Sequence, residues 1–252
     1  EALKVKKILK NLSINSEILT WRKKKITKKT QSESRKNRYN LLFSECKKFE
    51  IDNLILGHHL DDLFENFFIR MIRGSGLKGL TSLGKKTQID QINLIRPLIE
   101  FKKKDLKFIS SHVFNFFVED PSNENEKYTR IKIRNLIEKF NNIGLDKEKL
   151  FLTISNLKKS DEVINSYVEI NKEKNLFFNL KKKELILNDD FFNQPYEIVF
   201  RSVSDSIKII GKSYSPVRGK KIDNIIQKIK KEGFVRETLG GCVIKKVNQT
   251  VF

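Results

Sequence analysis

A chain of 252 residues can bury one large core or two small ones. Hydrophobic residues make up 38% and charged residues 33%, which excludes a disordered polymer, and no apolar run reaches the length of a bilayer span. The 51 Lys and Arg outnumber the 31 Asp and Glu, and this net charge of +20 points to a polyanionic partner, nucleic acid first.

In chain order, residues 1–12 read as a helix with Leu3, Val5, Ile8, Leu9 and Leu12 roughly on one side. Residues 16–21 read as a short strand, followed by a loop carrying Arg22, Lys23, Lys24, Lys25, Lys28 and Lys29. Thr30 is placed to cap a helix running to Phe49. Residues 53–57 form an apolar run of strand length that ends in Gly57, and a helix follows over 60–73. A turn with Gly74, Gly76 and Gly79 leads to a strand at 92–95, a helix at 102–111 and a strand at 115–118. This alternation predicts an α/β fold over residues 1–140, a partial Rossmann-like parallel sheet with flanking helices.

After the turn cluster Asp120-Pro121-Ser122-Asn123 the pattern changes. Residues 126–140, 147–172, 196–210 and 220–231 read as helices, with a strand at 184–188 and a hairpin-like end over 234–252 that turns near Asn248. Residues 141–252 are therefore expected to form a mainly helical, basic second domain suited to RNA. Cys46 and Cys242 lie far apart and fit no metal spacing, which suits a reduced, cytoplasmic setting.

Ligands of parallel sheets bind beyond the carboxyl ends of the strands, and His58-His59 falls at one such end. On a helical wheel Leu60, Leu63, Phe64, Phe67, Phe68 and Met71 share the core face, while Asp61, Asp62, Glu65 and Arg73 fall together on another. Acidic residues in a first turn have a purely structural reading, because the helix dipole favours each by about 0.3–1 kcal/mol. A metal reading is also open, since His-His-x-Asp-Asp-x-x-Glu offers ligands for Mg, Mn or Zn. Adjacent histidines point apart, however, and a metal-dependent phosphohydrolase would need further ligands when His112 is the only other histidine.

The run from Gly57 to Gly76, with His58-His59-Leu60-Asp61-Asp62-Leu63-Phe64-Glu65 and Arg73-Gly74-Ser75-Gly76, closely resembles a signature of the tRNA(Ile)-lysidine synthases. Three further stretches agree in the family's order. Gln31 to Tyr39 resembles its Gln-x-x-Ala-Arg-x-x-Arg-Tyr helix, with Ser34 in place of Ala; Arg96-Pro97-Leu98 matches its Arg-Pro-Leu. Glu119-Asp120-Pro121-Ser122-Asn123 with Tyr128, Arg130 and Arg134 is similar to the third, although Ile131 and Lys132 replace the usual Asn-Arg. Beyond residue 140 the resemblance is weaker, with Thr238-Leu239-Gly240-Gly241-Cys242 similar to the C-terminal part of some members.

The resemblance implies an enzyme that uses ATP to adenylate the wobble cytidine of a tRNA(Ile) with a CAU anticodon, then lets lysine displace AMP. It implies ATP and Mg²⁺ as cofactors, tRNA(Ile) and free L-lysine as partners, no membrane, and a homodimer as one possible assembly. His58, Arg35, Asp62 and Glu65 become candidate catalytic residues, with Asp62 and Glu65 facing the lysine ammonium. Arg35, Arg73, Arg130 and Arg134 become candidate nucleotide or tRNA ligands, and Asp61 a candidate metal ligand. The family's Ser-Gly-Gly-x-Asp-Ser loop is absent; its expected place lies upstream of Glu1, so the sequence is expected to be truncated and to bind ATP poorly alone. The open alternatives are a tRNA thiolase of the same superfamily, the metal-dependent phosphohydrolase, and an inactive RNA-binding fragment.

Overall fold

The computed structural model describes residues 1–21, 31–89, 91–118, 129–211, 217–231 and 233–252. It divides into two units, Glu1–Ser155 and Asn156–Phe252. Its elements in the first unit are α1 (Ala2–Asn11), α2 (Gln31–Lys48), β1 (Asn53–Ile55), α3 (Leu60–Ile72), α4 (Leu77–Leu80), β2 (Lys86–Ile89), β3 (Ile92–Ile95), α5 (Lys103–Phe114) and α6 (Thr129–Asn142). The division falls inside α7 (Lys147–Asn175). The second unit continues with β4 (Leu176–Asn179), β5 (Glu184–Leu187), α8 (Asp189–Phe192), α9 (Tyr196–Gly211), α10 (Gly219–Lys230), β6 (Arg236–Leu239), β7 (Cys242–Val247) and β8 (Thr250–Val251).

In the first unit, alternation along β3 buries Ile92 and Leu94 on one face, where they meet Tyr39, Phe43 and Cys46 of α2. β3 is the central strand, parallel to β1 with Leu54 opposite Leu94, and antiparallel to β2. The α/β reading with a parallel strand pair therefore holds. The expected apolar stripe of α3 holds through Leu60, Leu63, Phe64, Phe67 and Phe68, each contributing about 1.5–3 kcal/mol by burial. Met71, expected in the same stripe, is 47% exposed near the helix end. α6 closes over α3 through Ile131, Ile133 and Ile137, and Phe140 stacks on Phe68 at 5.8 Å between ring centroids.

Residues 16–21 and 115–118 have the composition of strands but are not strands. Neither finds a ladder partner among the described residues, and a strand without a partner leaves its amides and carbonyls unpaired. Asn115 instead turns left-handed at the end of α5 with φ 47°. The strand β2 was not foreseen.

In the second unit helices dominate, as expected, but they cover a five-stranded antiparallel sheet in the order β4-β5-β8-β7-β6. Its core joins Phe191, Val199 and Val203 to Ile222, Ile225 and Ile226 of α10. The β6–β7 hairpin turns on Gly240 and Gly241 at φ 61° and 83°, and a Cβ on Gly240 would stand 2.5 Å from the Ile207 side chain. No described helix is long and apolar enough to cross a membrane.

Candidate active site

Parallel β1 and β3 end on the same side of their sheet, so the residues that follow them meet there. His58 and His59 follow β1, and Arg96 follows β3 directly. α2 lies over the same end: Tyr39 packs on Phe43, and Arg35, one turn earlier, holds its guanidinium carbon 5.7 Å from the Tyr39 ring centroid. Arg96 is 4% exposed; its Nη1 donates to the Gly84 carbonyl at 3.0 Å and to Thr87 Oγ1 at 2.9 Å.

His58 sits half-buried among these groups. Burial lowers its pKa below the ordinary 6.5; Asp62 opposes this, while the positive charges of Arg96, Arg35 and Arg130 add to it. The lowered pKa favours the neutral imidazole near pH 7, and Nδ1 is buried with no hydrogen-bond partner among the described residues. Asp62, Arg35 and Arg130 of the expected set, and Arg96, thus lie within electrostatic reach of His58.

The three carboxylates of α3 do different work, which corrects the single acidic face expected from the wheel. Asp62 turns back to accept the His59 backbone N–H at 3.1 Å, as half of a capping box, and lies 3.4 Å from His59 Nε2. Asp61 accepts the Lys103 amide at 3.1 Å and Lys147 Nζ at 3.2 Å, tying α3 to the starts of α5 and α7. Burial pushes its carboxyl up, but the Lys103 amide, Lys147 and His59 together outweigh burial and hold it below the usual carboxylate value. Glu65 is 1% exposed, buried under α6 rather than presented to solvent. Its Oε1 accepts Arg134 Nε at 2.5 Å, and Arg130 Nε stands 3.9 Å from Oε2. Burial raises the Glu65 carboxyl, Arg134 and Arg130 pull it down, Asp62 adds to the rise, and the net direction is upward.

Asp61 and Glu65 line a 440 Å³ cleft with Lys102, Arg134, Glu138 and Lys147; Asp62 does not. Arg73 caps the far end of α3, about 20 Å along the helix from His59, and is not brought to the cluster. Thr30, the basic loop of residues 22–29, Glu119 to Asn123 and Tyr128 lie outside the described residues. Lys147 was missed because its partner stands 86 residues away, with no local signal. Arg96 had a signal, an arginine placed directly after a strand.

Asp61 does not fit the expected role of metal ligand, because an amide occupies one oxygen and an ammonium the other. Among the described residues no group of three or more His, Cys, Asp or Glu is placed to hold a metal ion.

Comparison with known proteins gives the family. A family model described as the PP-loop domain matches residues 1–140. The chain is 33% identical over 242 residues to a tRNA(Ile)-lysidine synthase of Wolbachia sp. subsp. Brugia malayi (strain TRS), covering 93% of this chain and 54% of that protein. It is 32% identical over 257 residues to the tRNA(Ile)-lysidine synthase of Orientia tsutsugamushi (strain Boryong), covering 97% and 57%. Over 102 residues it is 41% identical to that of Francisella philomiragia, covering 40% and 26%. The chain spans about half the length of the curated relatives it matches. The resemblance seen in the motifs thus extends over nearly the whole chain, and the chain belongs to the PP-loop domain family.

Proposed function

We propose that this chain forms the adenylate- and lysine-handling part of a tRNA(Ile)-lysidine synthase, with residues 141–252 contributing to tRNA binding. One observation carries the reading: His58 follows β1, beside the end of parallel β3, within electrostatic reach of Asp62, Arg35, Arg96 and Arg130. The similarity to named lysidine synthases over 93% of the chain supports the choice of substrate.

In the proposed reaction ATP supplies an adenylyl group to the C2 oxygen of the wobble cytidine and pyrophosphate leaves. The ε-amine of lysine then bonds to C2, the C2–oxygen bond breaks, AMP departs, and the amine gives up a proton. The chain's residues suit both steps. Arg35 and Arg130 carry planar donors matched to phosphate oxygens. His58, kept neutral by burial and by its arginine neighbours, can accept the amine proton. Asp62 is the carboxylate left to face the lysine ammonium, because Glu65 is committed to Arg134. Glu65 holds Arg134 and Arg130 along α6, from which they meet nucleotide or tRNA phosphates. No step is routed through Mg²⁺, for which the described residues offer no ready set of ligands.

The test incubates the complete protein with ATP, radiolabelled lysine and tRNA(Ile) carrying a CAU anticodon. Label is expected in the tRNA, dependent on ATP; a tRNA that stays unlabelled refutes the reading.

A further inference from the structure

The second unit commits only one face of its five-stranded sheet to its core. Alternation sends Leu187, Cys242, Ile244 and Val251 inward, where they are buried together with the apolar side chains of α9 and α10. The residues between them point the other way. Val243 is 50% exposed, and Arg236, Thr238 and Lys245 are exposed as well.

The register lines up this outer face across all the strands. Phe177 stands opposite Ile186, Leu187 opposite Val251, Val251 opposite Lys246, and Lys245 opposite Arg236. Lys245 and Phe252 exchange both backbone hydrogen bonds, at 2.9 and 2.7 Å, so they too are directly opposite. Phe177, Ile186, Phe252, Lys245 and Arg236 therefore share one row, next to the buried row of Leu187 and Val251.

The row changes character along its length. At one end the Phe177 side chain is 53% exposed, an aromatic ring open to solvent. At the other end Arg236 and Lys245 oppose each other, and like charges in that position repel. Neither forms an ion pair with a described residue, whereas Lys228 nearby is paired with Glu237 at 2.7 Å. An anion between the two cations turns the repulsion into attraction.

We propose that this outer face binds a single-stranded stretch of RNA, a base stacking on Phe177 while Lys245 and Arg236 hold phosphates; the proposal rests on the reading of residues 141–252 as a tRNA-binding region and names its surface. Five strands about 4.8 Å apart make a row about 19 Å long, room for two or three unstacked bases. Bases within a duplex keep their faces stacked on each other, so a ring on a sheet reaches only unpaired ones. A second copy of the chain is a poor occupant, because it brings the same net charge of +20.

The experiment follows binding of the full chain to an unstructured single-stranded RNA of about nine nucleotides by fluorescence anisotropy over a range of salt. Phe177→Leu should weaken binding at least about fivefold, the lower end for one stacked base, and leave the salt dependence as it is. Phe177→Tyr, which keeps a ring, should bind as the wild type does. Arg236→Ala and Lys245→Ala should each reduce the slope of log K against log salt by about 0.7. Lys221→Ala, exposed on α10 behind the opposite face, should do neither. On an abasic strand of the same length the Phe177→Leu defect should vanish.

A chain that binds no RNA overturns the proposal, as does an RNA duplex bound as tightly as the single strand. A Phe177→Leu defect of equal size on the abasic strand overturns it too. RNA binding unchanged in Phe177→Leu, Arg236→Ala and Lys245→Ala overturns the proposal and leaves the region's part in tRNA binding standing. If the substitutions act as expected while the complete protein leaves tRNA unlabelled by lysine, the RNA face stands and the lysidine synthase reading falls.

Discussion

Glu65 separates what charge does from what packing does under α6. It is 1% exposed, and its Oε1 receives Arg134 Nε at 2.5 Å. Glu65→Ala removes a hydrogen bond to a charged group, about 1.5–3 kcal/mol. The Arg134 side chain is 30% exposed and can turn to water, so the loss stays below the about 3–5 kcal/mol of a fully buried broken pair. Glu65→Gln keeps the volume and an acceptor for Arg134. Burial already works against the charge that it removes, raising the carboxyl above its ordinary 4.5, so the expected loss is about 0–1 kcal/mol. The sign with pH follows from the same direction. A raised folded pKa means that the folded state binds more protons than the unfolded one in the window above 4.5. The Glu65 contribution therefore declines as pH rises through that window, and Glu65→Gln removes that slope. Urea unfolding followed by fluorescence of Trp21, the one tryptophan of the chain and part of the first unit, measures both variants. Equal losses for Gln and Ala would refute the reasoning, since they would show that the charge itself holds α6 in place.

Asp62→Ala should abolish lysine transfer in the complete protein while leaving tRNA affinity nearly unchanged by filter binding, because acidic residues do not drive phosphate binding; equal loss of both would assign Asp62 a folding role. The lowered pKa of His58 means that the unfolded chain binds its proton more readily, so stability should rise with pH in the window just below 6.5 and that slope should flatten in His58→Gln, as read by urea titrations across pH. In the second unit Arg201, 1% exposed and held by Asp161 at 2.6 Å and Glu197 at 2.7 Å, should make Asp161→Ala cost about 3–5 kcal/mol, whereas a change below about 1 kcal/mol in urea unfolding would contradict the pairing.

The parts of the fold that could be read from the sequence are those whose signal is local. α3 was legible because Leu60, Leu63, Phe64, Phe67 and Phe68 recur at helical spacing, and that stripe forms one buried face whichever neighbour covers it. The strand before His58 was legible because residues 53–57 are an apolar run of strand length, and β1 covers Asn53–Ile55 of it. Glu65 was misplaced for the opposite reason. A wheel reports a helix's own periodicity, but the coverage of its border residues depends on α6, which begins 64 residues later with the arginines that make burial tolerable. Residues 16–21 and 115–118 carry strand composition, yet a strand exists only with a partner. The sheet of the second unit was half seen for a related reason: its strands run only two to six residues, too short for alternation to stand out beside α7, α9 and α10 with 29, 16 and 12.

The fate of the three acidic side chains also explains how a protein of net charge +20 keeps its site both ordered and electropositive. Had Asp61, Asp62 and Glu65 faced His58 together, their summed charge would have favoured imidazolium and repelled a phosphate. Instead, Asp61 is neutralised by Lys147 and the Lys103 amide, and Glu65 by Arg134 with Arg130 nearby. Asp62 alone opposes Arg35, Arg96 and Arg130 at the imidazole, and its Oδ2 also accepts the His59 amide. The acidic motif thus ties α3 to α5, α6 and α7 with Asp61 and Glu65, and leaves Asp62 to cap the helix start and act on His58. On the proposed function, an anionic ligand and a cationic one would be recognised by different side chains, the arginines and Asp62.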